Sequence, residues 1–252
     1  SVKGVDDDIT NDNLNNFQVW GLMSKGEQTG KPFDGTTVTK SGSDWTYTTP
    51  VYWENGYKYS FVAIAPADFG TFNAPSTVGE HGSIDFENGD GTTDLIYDID
   101  DTYATNAVST TTVCPGPIEF TFNHLLSRVM FEFKNAMDDN STINVTGVTI
   151  TNANTKATAT LGATATWALA DDNAPAALSF GDVLLDAEAT DYAPGAAKAT
   201  DHKYMIPATS ADQKYVVTFL VTRHHSGVTD QYDHEVEIPA VTMVQGKSYK
   251  FT

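Results

Sequence analysis

The sequence predicts an all-β protein of two tandem antiparallel β-sandwich domains, on three observations. Apolar residues recur with period two in many short runs, and no long segment holds a helical period. Turn pairs such as Asp34-Gly35, Ser41-Gly42 and Asn55-Gly56 punctuate those runs. A polar break from Asn135 to Ser141 separates two groups of runs, each with apolar residues enough for its own core. The expected division is residues 1–139 and 140–252.

Each element follows from local pattern. Asn16 to Leu22 (NFQVWGL) alternates as a half-buried strand does, and Thr36–Thr39, Trp45–Thr49 and Val51–Trp53 are shorter candidates. Tyr57 to Ala65 (YKYSFVAIA) is apolar on both faces, which marks a central strand ending at Pro66. Residues 66–93 are rich in turn formers and read as a long surface loop, followed by a short strand from Asp94 to Ile99. Ile118, Phe120 and Phe122 put apolar side chains on even positions, whereas Val129, Phe131 and Phe133 put them on odd ones. A continuous strand cannot change parity without turning its core face outward, so the chain must carry a bulge, a bend or a turn of helix within residues 123–127 and leave Phe131 better buried than Met130.

In the second group, strands are expected at Ile143–Thr151, Ala157–Leu161, Thr164–Leu169 and His202–Ile206, with a mixed stretch over 176–185 and a linker over 186–200. Lys214 to Thr222 (KYVVTFLVT) is again apolar on both faces and central; Arg223 to Gly227 turns the chain, and Gln231 to Pro239 returns. Tyr249 and Phe251 share one face of the closing run.

Composition narrows the function. Of 252 residues, 40% are hydrophobic and 19% charged, enough for a packed core. Fourteen basic against 33 acidic residues give a net charge of −19, which repels nucleic-acid phosphates and anionic lipid headgroups. The single cysteine, Cys114, excludes an intrachain disulfide and a Cys-rich zinc site, and it has no neighbouring histidine to activate it. No apolar run approaches the roughly 18 residues a membrane helix needs. The chain starts at Ser1 without an initiator methionine or an apolar leader, so an exported form is expected to have lost its signal ahead of Ser1.

Candidate chemistry is sparse. His124 reads as a structural histidine bonded to backbone at the bend. His224, His225 and His234 could approach across a hairpin, but neighbours on a strand point to opposite faces, leaving at most two zinc ligands. Residues 85–94 (DFENGDGTTD) have the composition of a calcium loop without its ligand spacing, and Asp6-Asp7-Asp8 reads as a solvated lead. Trp45, Tyr47, Tyr52 and Trp53 offer an aromatic platform for sugar rings, although alternation places several of them in the core. No hydrolase, nucleotide-binding or metalloprotease motif occurs. No residue is assigned a catalytic, cofactor-binding or metal-ligating role, and no cofactor is expected.

Five segments resemble the fimbrillin-like (Mfa-like) family of Bacteroides-type bacteria, subunits of lipoprotein-derived pili: Asn13 to Gly21, Trp45 to Trp53, Tyr59 to Pro66, Asp94 to Tyr97, and Phe120 to Phe131 (FTFNHLLSRVMF). The closing Gly246 to Phe251 also fits, and the match is densest over residues 13–134. The resemblance implies transthyretin-like sandwiches, a lipid anchor upstream of Ser1, an outer-membrane and cell-surface location, and assembly by strand exchange once an N-terminal strand is removed. Lys3 is the only basic residue before Asn13, so an arginine-directed cleavage there has no arginine to act on.

The resulting expectation is a non-enzymatic, structural and adhesive pilus subunit, monomeric when isolated, whose partners are other pilus subunits and host or microbial glycans or proteins. Val241 to Thr252 is the expected donor strand. The alternatives are a surface carbohydrate-binding lipoprotein that does not polymerise, and a hydrolase with a site built from 66–93 and 186–200.

Overall fold

The computed structural model describes residues 2–4, 13–111, 115–186 and 197–252. Among these there is no helix. The strands of the first half are β1 (Val2–Gly4), β2 (Asn16–Lys25), β3 (Gln28–Ser41), β4 (Asp44–Thr46), β5 (Lys58–Ala65), β6 (Thr71–Asn73), β7 (Ser83–Glu87), β8 (Ile96–Asp100), β9 (Asn123–His124) and β10 (Ser127–Lys134). Those of the second half are β11 (Thr142–Ala153), β12 (Lys156–Thr160), β13 (Thr166–Leu169), β14 (Ala176–Val183), β15 (Ala197–Ala199), β16 (Lys203–Met205), β17 (Tyr215–His225), β18 (Val228–Ile238) and β19 (Lys247–Phe251).

They form four sheets. One has six strands in the order β4-β3-β2-β5-β8-β9, and two have four, β13-β12-β7-β6 and β14-β11-β17-β18. The last runs β1-β19-β10, with β15 and β16 both paired to the far side of β10. Only β10 and β19, among the described strands, pair in parallel.

Period two explains the layers. Val62, Ile64 and Tyr97 of the six-stranded sheet meet Ile84, Phe86, Ala157 and Ala159 of the β13-β12-β7-β6 sheet in one core. Val129, Phe131 and Tyr249 meet Val145, Ile150, Phe180 and Val217 in a second. Each core lies between two sheets, which is the sandwich architecture read from the sequence. The doubly apolar segments are central as expected: β5 lies between β2 and β8, and β17 between β11 and β18.

Strand pairing crosses residue 139. β12 pairs with β7 from Lys156↔Glu87 to Thr160↔Ser83, and β10 pairs with β15, β16 and β19. A cut between 139 and 140 would divide two of the four sheets and both of these cores.

The parity change is a crossover between the sandwiches. β9 pairs with β8 in the first, β10 pairs with β19 in the second, and Leu125 and Leu126 between them are fully buried. Leu125 N–H donates to Leu95 O at 2.8 Å, and Gly246 N–H donates to Leu126 O at 2.9 Å, so backbone bonds fix the bend from both sides. Phe131 is buried and Met130 only half-buried.

Four local expectations are corrected. Asp34-Gly35 is a bulge inside the long β3, not a turn: the register skips from Val19↔Thr36 to Trp20↔Asp34, and Gly35 takes φ +70°. Residues 47–57 and 115–122 carry no strand, although Phe120 and Phe122 still pack on the six-stranded sheet. The presumed loop 66–93 contains β6 and β7, whose Ile84 and Phe86 alternate into the core. β17 runs on through His224 and His225, and the turn falls at Ser226-Gly227. Residues 187–196 of the expected linker lie outside the described residues, and β15 follows them.

Candidate functional site

Two features stand out from a conventional pair of sandwiches: a thinly covered strand edge and an aromatic cleft.

The edge is β19. On one side it is held by β10 through Arg128↔Ser248 to Phe131↔Phe251. Lys250 Nζ donates to Glu132 Oε2 at 2.8 Å and Thr252 Oγ1 donates to Glu132 Oε1 at 3.2 Å; the Lys250 bond holds the Glu132 carboxyl below its ordinary pKa. Tyr249 is buried, accepting from Val244 N–H and donating to Thr242 O. The C-terminal run expected to act as a donor is thus built into its own core, with Met243 fully buried beside it. On its other side, among the described strands, β19 meets β1 alone, in the register Val2↔Tyr249, Lys3↔Ser248 and Gly4↔Lys247. The sequence gives no signal for β1, because three residues (VKG) are too few to show a period.

The cleft lies on the face of the six-stranded sheet turned away from the first core. Phe17, Val19, Val38, Tyr59 and Phe61 form its floor and are buried. Gly21 sits opposite both Phe33 and Phe61, and a Cβ there would lie 2.9 Å from the Phe61 ring, so its bare backbone lets the two rings close over β2. Among the described residues, no second sheet covers this face. Residues 43–53 and 116–122 wall it instead, around a cavity of about 860 Å³. The Trp45 and Phe120 rings meet Phe17 edge-on, at 5.1 and 5.9 Å, and Trp53 meets Tyr59 at 4.8 Å and 87°. Glu54 N–H donates to the Tyr59 hydroxyl at 2.9 Å, while burial pushes that phenol's pKa up. Thr121 N–H donates to Asp98 Oδ2 at 2.6 Å and ties one wall to β8, where burial raises the Asp98 carboxyl. Of the four aromatics flagged as a platform, Trp45 and Trp53 are half-buried in this packing and Tyr52 is 79% exposed.

The remaining candidates do not converge. His124 Nδ1 lies 2.9 Å from Asp94 Oδ1, so its partner is a buried carboxylate and not the backbone alone. In the 85–94 segment, Asp85 bonds Asn73 and Thr158, Asp90 bonds Thr92, and Asp94 bonds His124, which sends the carboxylates in different directions. His224 faces Thr229 and His234 faces Phe219 in the β17–β18 register, so the three histidines are spread along the hairpin. Among the described residues, no three His, Cys, Asp or Glu side chains gather as a metal site. Cys114 and Asp6 to Asp8 lie outside the described residues.

Against known families, a model described as fimbrillin-like matches residues 4–252. The chain belongs to the fimbrillin-like family. Among solved structures, this fimbrillin-like chain is similar to a candidate cell-adhesion protein from Bacteroides ovatus, with 13% identity over 94% of this chain and 80% of the other and a TM-score of 0.53. That likeness is one of fold. A candidate cell-adhesion protein from Bacteroides fragilis is matched with 14% identity over 94% and 79% of the two chains and a TM-score of 0.48. A fimbrial protein from Bacteroides ovatus is matched with 13% identity over 96% of this chain and 46% of the other, with a TM-score of 0.38. No curated protein matches.

Proposed function

We propose that this fimbrillin-like chain is a structural, non-enzymatic subunit of a cell-surface pilus, monomeric when isolated, and that subunits join by strand exchange at the β19 edge. The reading extends to adhesion at the cell surface and to an outer-membrane lipid anchor borne by a segment ahead of Ser1. Family membership supports the class, and one observation carries the mechanism: among the described residues, β1 covers β19 through the three residues Val2 to Gly4.

Magnitudes favour exchange. Net gains of about 0.5–1.5 kcal/mol per hydrogen bond mean that so short a strand contributes only a few kcal/mol. A longer donor from a neighbouring subunit adds bonds along the whole edge and side chains at alternate positions. Once β1 is gone, β19 presents unpaired N–H and C=O groups. Val241 to Thr252 alternates as a donor does and serves as a free peptide that probes the edge, but a subunit that released it from the core Met243 and Tyr249 help to fill would lose its own β19 edge.

The test uses a chain shortened to residues 13–252 and a synthetic peptide spanning Val241 to Thr252. The shortened protein should bind the peptide or polymerise, and the intact chain should do neither. A folded, shortened protein that does neither overturns strand exchange at this edge.

A further inference from the structure

We propose that the aromatic cleft on the outer face of the six-stranded sheet binds a small ligand with an apolar body and a positively charged amine, an inference that does not rest on the pilus reading. The cavity of about 860 Å³ falls in the range of roughly 300–1,000 Å³ typical of small-molecule sites. Its floor is largely apolar: Phe17, Val19, Val38 and Phe61 are each under a tenth exposed. An apolar body placed there exchanges water for aromatic and aliphatic carbon.

Charge selects the head group. Among the described residues the lining holds two carboxylates, Asp44 and Glu119, and no lysine, arginine or histidine. An anionic head would enter a region of like charge on a chain of net charge −19, whereas an ammonium meets carboxylates. The Trp45 ring already takes one cation on its far strand neighbour's side, with Lys40 Nζ 5.9 Å from its centroid. Lys40 itself is not part of the lining.

Sugar stacking fits less well. It needs flat aromatic faces open to solvent, and here Trp45 and Trp53 are spent on edge-to-face contacts with Phe17, Tyr59 and Phe61. Tyr52 stays open, but on the rim. The walls, 43–53 and 116–122, are largely free of strand pairing, so they can adjust around an occupant without breaking the sheet.

Three isosteric probes test this in the full chain: 4-phenylbutylammonium, 4-phenylbutanol and 4-phenylbutyrate, titrated against tryptophan fluorescence and ligand-observed NMR. The ammonium should bind one to one, about tenfold more tightly than the carboxylate, with the alcohol between them. The double variant Asp44→Asn/Glu119→Gln, at two exposed positions, should erase the preference for the ammonium and leave the alcohol unchanged. With only two of 33 acids neutralised, diffuse attraction to the chain would hardly change, so retained preference would overturn the site. Trp45→Phe/Trp53→Phe should abolish the fluorescence response, because Trp20 and Trp167 lie in the other core. A response that survives this change, equal binding of all three probes, no binding, or a neutral cello-oligosaccharide binding where the probes do not, would each contradict the proposal.

Discussion

His124 and Asp94 form a buried couple beside the crossover between the two sandwiches. The Nδ1–Oδ1 distance is 2.9 Å, and the side chains are 14% and 5% exposed. Asp94 Oδ2 has no other hydrogen-bond partner. His124→Ala therefore leaves a buried carboxyl group without its partner, and the loss should be about 2–4 kcal/mol. Asp94→Asn keeps a polar partner without a charge to bury, and should cost clearly less. Urea denaturation of both variants at neutral pH checks the order. Equal losses, or a His124→Ala loss within about 0.5 kcal/mol, would show that the couple does not hold the crossover.

Tyr215 carries a buried hydroxyl with no hydrogen-bond partner, and burial pushes its pKa from 10.0 up to about 12. Tyr215→Phe should leave stability at neutral pH unchanged or slightly raised, because no bond is lost. The unfolded chain gives up this proton more readily than the folded one. Stability from keeping the phenol neutral is thus intact below pH 10 and falls as pH rises toward 12, by roughly 2–3 kcal/mol. Phe at this position should flatten that alkaline decline, as read from melting temperatures between pH 9 and 12.

Gly82 has φ +74°, and a Cβ there would collide with the carbonyl oxygen of Asn73, its neighbour across the β6–β7 hairpin. Its own carbonyl accepts from Leu161 N–H at 3.0 Å, which links the hairpin to the chain after β12. Gly82→Ala should cost at least roughly 2 kcal/mol. Gly89→Ala, where a Cβ meets nothing within 4 Å, should change stability by less than about 0.5 kcal/mol. Thermal melts of the pair decide whether this hairpin is under the strain described.

Local pattern made much of this fold legible. The doubly apolar runs at Tyr57–Ala65 and Lys214–Thr222 marked central strands, and the parity change after Phe122 marked a break in the strand but not the crossover it serves, because each depends on neighbours in sequence. Alternation shows which side chains turn inward and says nothing of the strand they turn beside. That is why the pairing of Lys156–Thr160 with Ser83–Glu87 could not be read. The same limit hid the cleft: Trp45, Tyr47, Tyr52 and Trp53 were visible as a cluster, but Phe17, Phe33 and Phe120 join them only through folding. Ser83 to Glu87 was legible in principle, since SIDFE alternates, but the turn-rich composition around it masked five residues.

Shared sheets predict a shared fate for the halves. A fragment of residues 1–139 lacks β12, Leu161 and Ile206, which complete the first core, and carries β10 without β16. Expressed alone it should fail to fold, and co-expression with 140–252 should restore a soluble pair. A stably folded 1–139 fragment, judged by a cooperative melt, would support a domain boundary at the 135–141 break.

The most direct test of strand exchange is the mass of assemblies formed when β1 is cut free, with and without a lock. Lys3 and Ser248 are register partners, so Lys3→Cys/Ser248→Cys in a Cys114→Ser background staples β1 to β19. A protease site placed within residues 5–12 then allows the same cut in stapled and unstapled protein. Light scattering after cutting should show polymers from the unstapled chain, monomers from the stapled one, and polymers again once the staple is reduced. Polymers of equal mass from both, or monomers from both while the fold stays intact, would contradict exchange at the β19 edge.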